Sequence, residues 1–98
     1  MVKKYENERL CDLKGIWILD FYADWCGPCR MLGSVLEELD VDVLKIDVDK
    51  EEELAKEYKV MSIPNLFIVK DGKVMKQLIG FKPLDVLNKE IEDIKKTK

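Results

Sequence analysis

Histidine is missing from this chain, and only three of its 98 residues are cysteine. Without an imidazole there is no Cys–His pair, so a reactive thiol here must be activated largely by the backbone. A tetrahedral zinc site needs four ligands. Cys26, Cys29 and the remaining Cys11 do not supply them, so no metal and no cofactor is expected. Three thiols also make no structural disulfide framework. No apolar run approaches the ~20 residues of a membrane span. The opening segment from Met1 to Arg9 lacks the apolar core of a secretion signal, which makes a reducing, cytoplasmic setting the expectation. Basic residues are not in excess either: 17 Lys and Arg against 20 Asp and Glu leave a net charge of −3. That balance gives no electrostatic basis for a nucleic-acid or membrane partner. Repeats, low-complexity tracts and linkers are absent, so residues 1–98 are read as one domain, expected to act as a monomer.

What the chain does have is Trp25-Cys26-Gly27-Pro28-Cys29-Arg30, set directly after the apolar run Ile16–Tyr22 and before a segment with helical spacing. A strand-to-helix junction presents the first thiol at a helix N-terminus. Unpaired backbone N–H groups there favour thiolate over thiol.

The rest of the chain follows from its periodicities. Val2–Tyr5 reads as a short edge strand, and Glu6–Leu13 as one or two helical turns before Gly15. The run Ile16–Tyr22, apolar at nearly every position, suits a strand covered on both faces. Met31, Leu32, Val35, Leu36 and Leu39 mark one face of a helix running to about Leu39. Val41–Val48 is a second strand. Asp49 is expected to cap a short helix burying Leu54, Ala55 and Tyr58. Asn65–Val69 is a third strand, and Asp71-Gly72 turns it into an antiparallel return over Val74–Ile79. Leu84, Leu87, Ile91 and Ile94 close the chain as an amphipathic helix with a solvated tail, Lys95–Lys98. Parallel crossovers followed by a hairpin make an α/β sandwich around a central mixed sheet.

The hexapeptide, and with it nearly the whole chain, resembles the thioredoxin family, whose fold has this element order. The resemblance implies a general protein thiol–disulfide oxidoreductase acting as a reductant on protein disulfides, recycled by a thioredoxin reductase. Cys26 would attack a substrate disulfide, and Cys29, one helical turn on, would resolve the mixed disulfide. Gly27 and Pro28 hold the sulfurs within reach and leave room for an incoming chain. Asp20 is a carboxylate amid Ile18, Leu19 and Phe21. It is either a solvent-facing strand position or a buried acid of raised pKa that exchanges a proton with Cys29. The family assigns an aspartate at this place the second role, and pairs it with a lysine matching Lys45, which otherwise reads as snorkelling to solvent. The resemblance also implies a cis Ile63-Pro64 against the sulfurs, with the backbone of Ser62 and Ile63 pairing with an extended substrate. Trp25, Gly80 and Phe81 would rim the groove. Cys11 reads as a partly buried small hydrophobe. Ser34 stands where the family usually has a helix-kinking proline, and Asn65 where threonine is commoner. Two alternatives remain: a glutaredoxin-like, glutathione-linked protein, and a binding module in which the dithiol is incidental.

Overall fold

In the computed structural model, which describes residues 1–97, the most apolar strand takes the middle of a five-stranded sheet. That strand, β2 (Ile16–Tyr22), lies between β3 (Asp42–Asp47) and β4 (Asn65–Lys70). β1 (Val2–Lys4) edges the sheet beside β3, and β5 (Lys73–Ile79) beside β4. β1, β3 and β2 run parallel, whereas β4 is antiparallel to β2 and β5 to β4.

Strand side chains alternate between faces, and the core divides accordingly. On one face Ile18, Val43, Leu66 and Ile68 meet Leu32 and Leu36 of α1 (Gly27–Leu36) and Leu87, Ile91 and Ile94 of α3 (Leu84–Lys95). On the other, Leu19, Phe21, Leu44 and Phe67 meet Leu54, Ala55 and Tyr58 in and beside α2 (Glu52–Glu57). There the rings of Phe21, Tyr58 and Phe67 pack with centroids 5.1 to 5.6 Å apart. Helices on both faces explain why β2 carries apolar residues at almost every position. This is the layered mixed α/β sandwich that the element order implied. No described helix is long and apolar enough to cross a membrane.

Local departures from the expectation have local causes. The helical turns expected over Glu6–Leu13 reduce to a single 3₁₀ turn, Leu10–Asp12, because Asn7 sits at φ 72° and breaks the run. α1 ends at Leu36, not Leu39; the next bonds, from Glu38 N–H to Val35 O and Leu39 N–H to Leu36 O, are tighter i→i+3 turns. Leu39 stays buried all the same. Asp49 does not cap α2: the N-cap is Glu51, with no side-chain bond. Cys11, expected to be partly buried, is exposed on the 3₁₀ turn. The last residue of the tail expected over Lys95–Lys98 lies outside the described residues.

The β4–β5 turn is hydrogen-bonded to Gly15 and lies against that 3₁₀ turn. Asp71 and Gly72 have φ of 50° and 84°, as a two-residue type I′ hairpin demands. Asp71 also accepts the Gly15 N–H through its carboxylate at 2.8 Å. A Cβ on Gly72 would meet the Leu10 carbonyl oxygen at 2.9 Å. Gly72→Ala therefore combines a left-handed φ with a backbone clash, and it is expected to destabilise the fold by about 2–3 kcal/mol. Urea denaturation measures this; a loss below about 0.5 kcal/mol would mean that the turn and the 3₁₀ segment move apart freely.

Candidate active site

β2 ends at Tyr22, and after three intervening residues the chain enters α1 through Cys26. Cys26 is the N-cap, in extended conformation, and its Sγ accepts the Cys29 backbone N–H at 3.2 Å. The sulfur thus takes the place of a capping oxygen and meets a donor that the helix cannot satisfy. Pro28 falls in the first turn, where its missing N–H costs nothing. Nothing lies within 4 Å of a Cβ placed on Gly27, so the surface over the motif is open to an approaching chain.

Cys26 and Cys29 are joined as a disulfide, with Cα atoms 5.2 Å apart. Cys26 is 6% exposed and Cys29 2%. The order is the expected one, but the first cysteine is more covered than the end of a motif suggests. Ala23 is buried with the two sulfurs, and Tyr22, Val48 and Ile63 pack around them.

The expected substrate-facing residues beyond the motif come from the loops around Trp25, Pro64 and Gly80. The Ile63–Pro64 bond is cis. Pro64 is buried, and its carbonyl accepts the Gly80 N–H at 2.8 Å, which ties the end of β5 to this loop. Ser62 is exposed, as is Phe81 after Gly80. Trp25 is 69% exposed, which excludes a core role, and its indole N–H donates to Asp49 Oδ2 at 2.8 Å. Trp25, Val48, Ala55, Val60, Met61, Ser62 and Ile63 line a cavity of about 190 Å³. Gly80 and Phe81 do not line it.

Asp20 lies in mid-sheet, opposite Lys45 on β3 and Leu66 on β4. It is 0% exposed, so the solvent-facing alternative is excluded. Among the described residues neither carboxylate oxygen has a hydrogen-bond partner. Lys45 Nζ stands 3.9 Å away, its own side chain partly in solvent. Lys45 thus does both things foreseen for it, reaching toward water while facing the acid. Burial pushes the Asp20 carboxyl up to about 6, against a smaller opposing pull from Lys45. Ile18, two residues earlier on the same face, packs against Leu32 and Leu36. Cys29 precedes those leucines by three and seven residues on the same helical stripe. Asp20 therefore faces the layer in which Cys29 is buried.

Sequence reading missed two participants. Asp49 looked like a helix cap, yet it orients Trp25. Tyr22 looked like one more strand aromatic, yet its ring lies under the Lys45 ammonium, 4.3 Å from Nζ to the centroid. A hydrophobic pattern carries no signal for either contact.

Comparison with known proteins agrees with this arrangement. The thioredoxin family model matches residues 2–93. Thioredoxin from Bacillus subtilis is 49% identical over 80 residues, covering 76% of this chain and 77% of that protein. Thioredoxin from Staphylococcus aureus is 46% identical over 79 residues, covering 74% and 76%. Among solved structures, a mutant thioredoxin from Halobacterium salinarum superposes with a TM-score of 0.82 at 37% identity, covering 95% of this chain and 88% of that one. The oxidised form of mitochondrial thioredoxin 3 from Saccharomyces cerevisiae gives 0.76 at 38% identity, covering 86% and 83%. Neither the glutathione-linked alternative nor the docking module is favoured by these likenesses. A disulfide at a helix N-terminus, on this sheet and with these relatives, leaves one reading of a cysteine pair in a chain without histidine: the protein belongs to the thioredoxin family and is a thiol–disulfide oxidoreductase that reduces protein disulfides.

Proposed function

We propose that Cys26 is the attacking thiol, Cys29 the resolving thiol and Asp20 the group that takes the resolving proton. The observation that carries this reading is the bond from the Cys29 N–H to Cys26 Sγ at the first turn of α1. In the reduced protein the same donor and the helix dipole favour a thiolate on Cys26. That thiolate attacks one sulfur of a substrate disulfide; a Cys26–substrate disulfide forms and the other substrate sulfur leaves as a thiolate. Cys29 then gives its proton to the Asp20 carboxylate and attacks Cys26 Sγ. The Cys26–Cys29 bond closes, the mixed disulfide breaks, and two electrons have passed to the substrate. Its two thiolates take up one proton returned by Asp20 and one from solvent to become a dithiol. Lys45 keeps Asp20 acidic enough to be ionised over part of the neutral range before it receives the proton.

Trp25, Gly27, Pro28, Ser62, Ile63, Pro64, Gly80 and Phe81 form the substrate-facing surface in this reading. The apolar cavity between Trp25 and Ile63 takes a side chain, and the backbone at Ser62 and Ile63 aligns an extended segment. The protein works as a cytoplasmic monomer, and thioredoxin reductase returns the disulfide to the dithiol.

A coupled assay tests the electron source. Reduction of a model protein disulfide is expected to proceed with NADPH and thioredoxin reductase, and much more slowly with glutathione and glutathione reductase. Faster turnover with glutathione would replace this reading with the glutathione-linked one.

A further inference from the structure

The geometry points to Tyr22 as a positioning residue for the redox site: its ring is the platform that holds the Lys45 ammonium against Asp20. This inference deepens the reading of Asp20 as the proton acceptor and rests on it only for its effect on rate.

Lys45 has little else to hold it. Its side chain lies between two open cavities, one of about 270 Å³ toward Arg30 and Gly33 and one of about 160 Å³ toward Lys4 and Asp47. Among the described residues it donates no hydrogen bond, and Asp20 is its one ion-pair partner, at 3.9 Å. A flexible four-carbon stem in that position turns readily to water. The contact that opposes this is the Tyr22 ring, with Nζ 4.3 Å from its centroid, well inside the distance at which the face of an aromatic ring attracts a cation. Asp20 and Tyr22 are two residues apart on β2, so both side chains leave the same face of the strand. Lys45 pairs with Asp20 across the ladder. The Lys45 ammonium lies 3.9 Å from the carboxylate and 4.3 Å from the ring centroid on that face. On α1, the Gly33 position has no side chain; a Cβ there would lie 3.5 Å from Nζ, so the helix bounds the cation without binding it.

Other charged groups surround this pair and set its background. Arg30 stands on α1 and Glu37 is its C-cap. Lys4 and Tyr5 lie at the end of β1, Asp47 at the end of β3, and Lys50 and Glu51 before α2. Asp47 and Asp24 act on the Tyr22 phenol, which burial above all pushes up, so the ring stays neutral through the working range. β4 offers only Leu66 opposite Asp20. Reduced Cys29 is the remaining titratable neighbour, and it is silent in the disulfide form.

The test uses the oxidised full-length protein and follows the Asp20 carboxyl carbon by NMR through a pH titration. Tyr22→Phe keeps the ring face and is expected to leave the midpoint unchanged. Tyr22→Leu removes the platform, frees Lys45, and is expected to raise the midpoint by about half a unit or more. In a Lys45→Met background the same Leu substitution is expected to add nothing. A midpoint that Tyr22→Leu leaves in place, or that Tyr22→Phe moves as far, overturns the inference. Should the Leu variant not fold, the Lys45 Hε protons of the unaltered protein decide: ring-current upfield shifts support the platform, and random-coil positions overturn it. A midpoint that moves without any change in the pH profile of the resolving step supports the role of Tyr22 and overturns that of Asp20.

Discussion

Cys26→Ser is expected to be inert in protein-disulfide reduction, lower than the unaltered protein by at least about three orders of magnitude. A hydroxyl at the N-cap accepts the same backbone bond and keeps the helix start intact, but it does not ionise near neutral pH. The fold should therefore survive while the chemistry does not. Cys29→Ser leaves the first nucleophile in place and removes the second, so it is expected to stop after one attack. Mixed disulfides with substrate should then accumulate, visible as a mass adduct on Cys26 that dithiothreitol releases. Clean turnover by that variant would remove Cys29 from the resolving role. A third measurement isolates the physical cause. Iodoacetamide should alkylate reduced Cys26 at pH 7 faster than a cysteine in an unfolded peptide, because the helix terminus raises its thiolate fraction. Equal rates would mean that the Cys29 N–H and the dipole do not activate it.

The legible parts of the fold were those in which one sequence signal meets no competitor. β2 announced itself through seven nearly uninterrupted apolar residues, and it lies mid-sheet. Asp71-Gly72 needed two positive φ angles and found them. The buried stripe of α3 matched Leu87, Ile91 and Ile94. Element ends were less legible, because they depend on contacts far away in sequence. Asp49 has the chemistry of a cap, but the Trp25 indole, 24 residues earlier, engages it at 2.8 Å. The N-cap of α2 falls two residues later, at Glu51, which makes no side-chain cap bond.

The site divides in the same way. Cys26 and Cys29 were readable from spacing alone, because two thiols three residues apart at a helix start have few other uses. Asp20 was readable as an anomaly, a charge inside an apolar strand, but only the pairing of β2 with β3 brings Lys45 to it. The cis bond before Pro64 was legible only through the family resemblance, and it is present, whereas the bond from the Gly80 N–H to the Pro64 carbonyl had no signal in the sequence. Tyr22 gave no signal at all: an aromatic in a strand is what a core requires, and its contact with a cation depends on where Lys45 turns.

Asp20→Leu is expected to make the protein more stable at pH 8 and to leave it little changed at pH 4. The sign follows from the proton. Asp20 in the fold titrates at about 6, against 3.8 for the free side chain. Between those values the native state keeps the proton that the unfolded state has released, so wild-type stability falls as pH rises through the window. Above the folded value the whole cost is present: about two pK units, or roughly 3 kcal/mol. Below about pH 3 both states are protonated and the cost vanishes; at pH 4 only roughly 0.5 kcal/mol of it remains. Against a total stability of about 5–15 kcal/mol for a small domain, that is a large standing penalty. Leucine removes the charge and its unpaired oxygens together, and the partly exposed Lys45 keeps access to water. Asp20→Asn also removes the charge but leaves a buried amide without a partner, so it should gain less. Urea denaturation of the oxidised forms at the two pH values reads the difference directly; an equal gain at both would show that packing, not ionisation, is what leucine improved. The kinetic counterpart separates cost from use. If Asp20 takes the Cys29 proton, the stabilised variant should lose rate in resolution more than in the first attack, because only that step has a proton to place. A carboxylate kept in an apolar layer at this cost, facing the layer of the buried thiol with one partly exposed cation beside it, is then stability given up for proton transfer. Equal slowing of both steps would leave the penalty without a function.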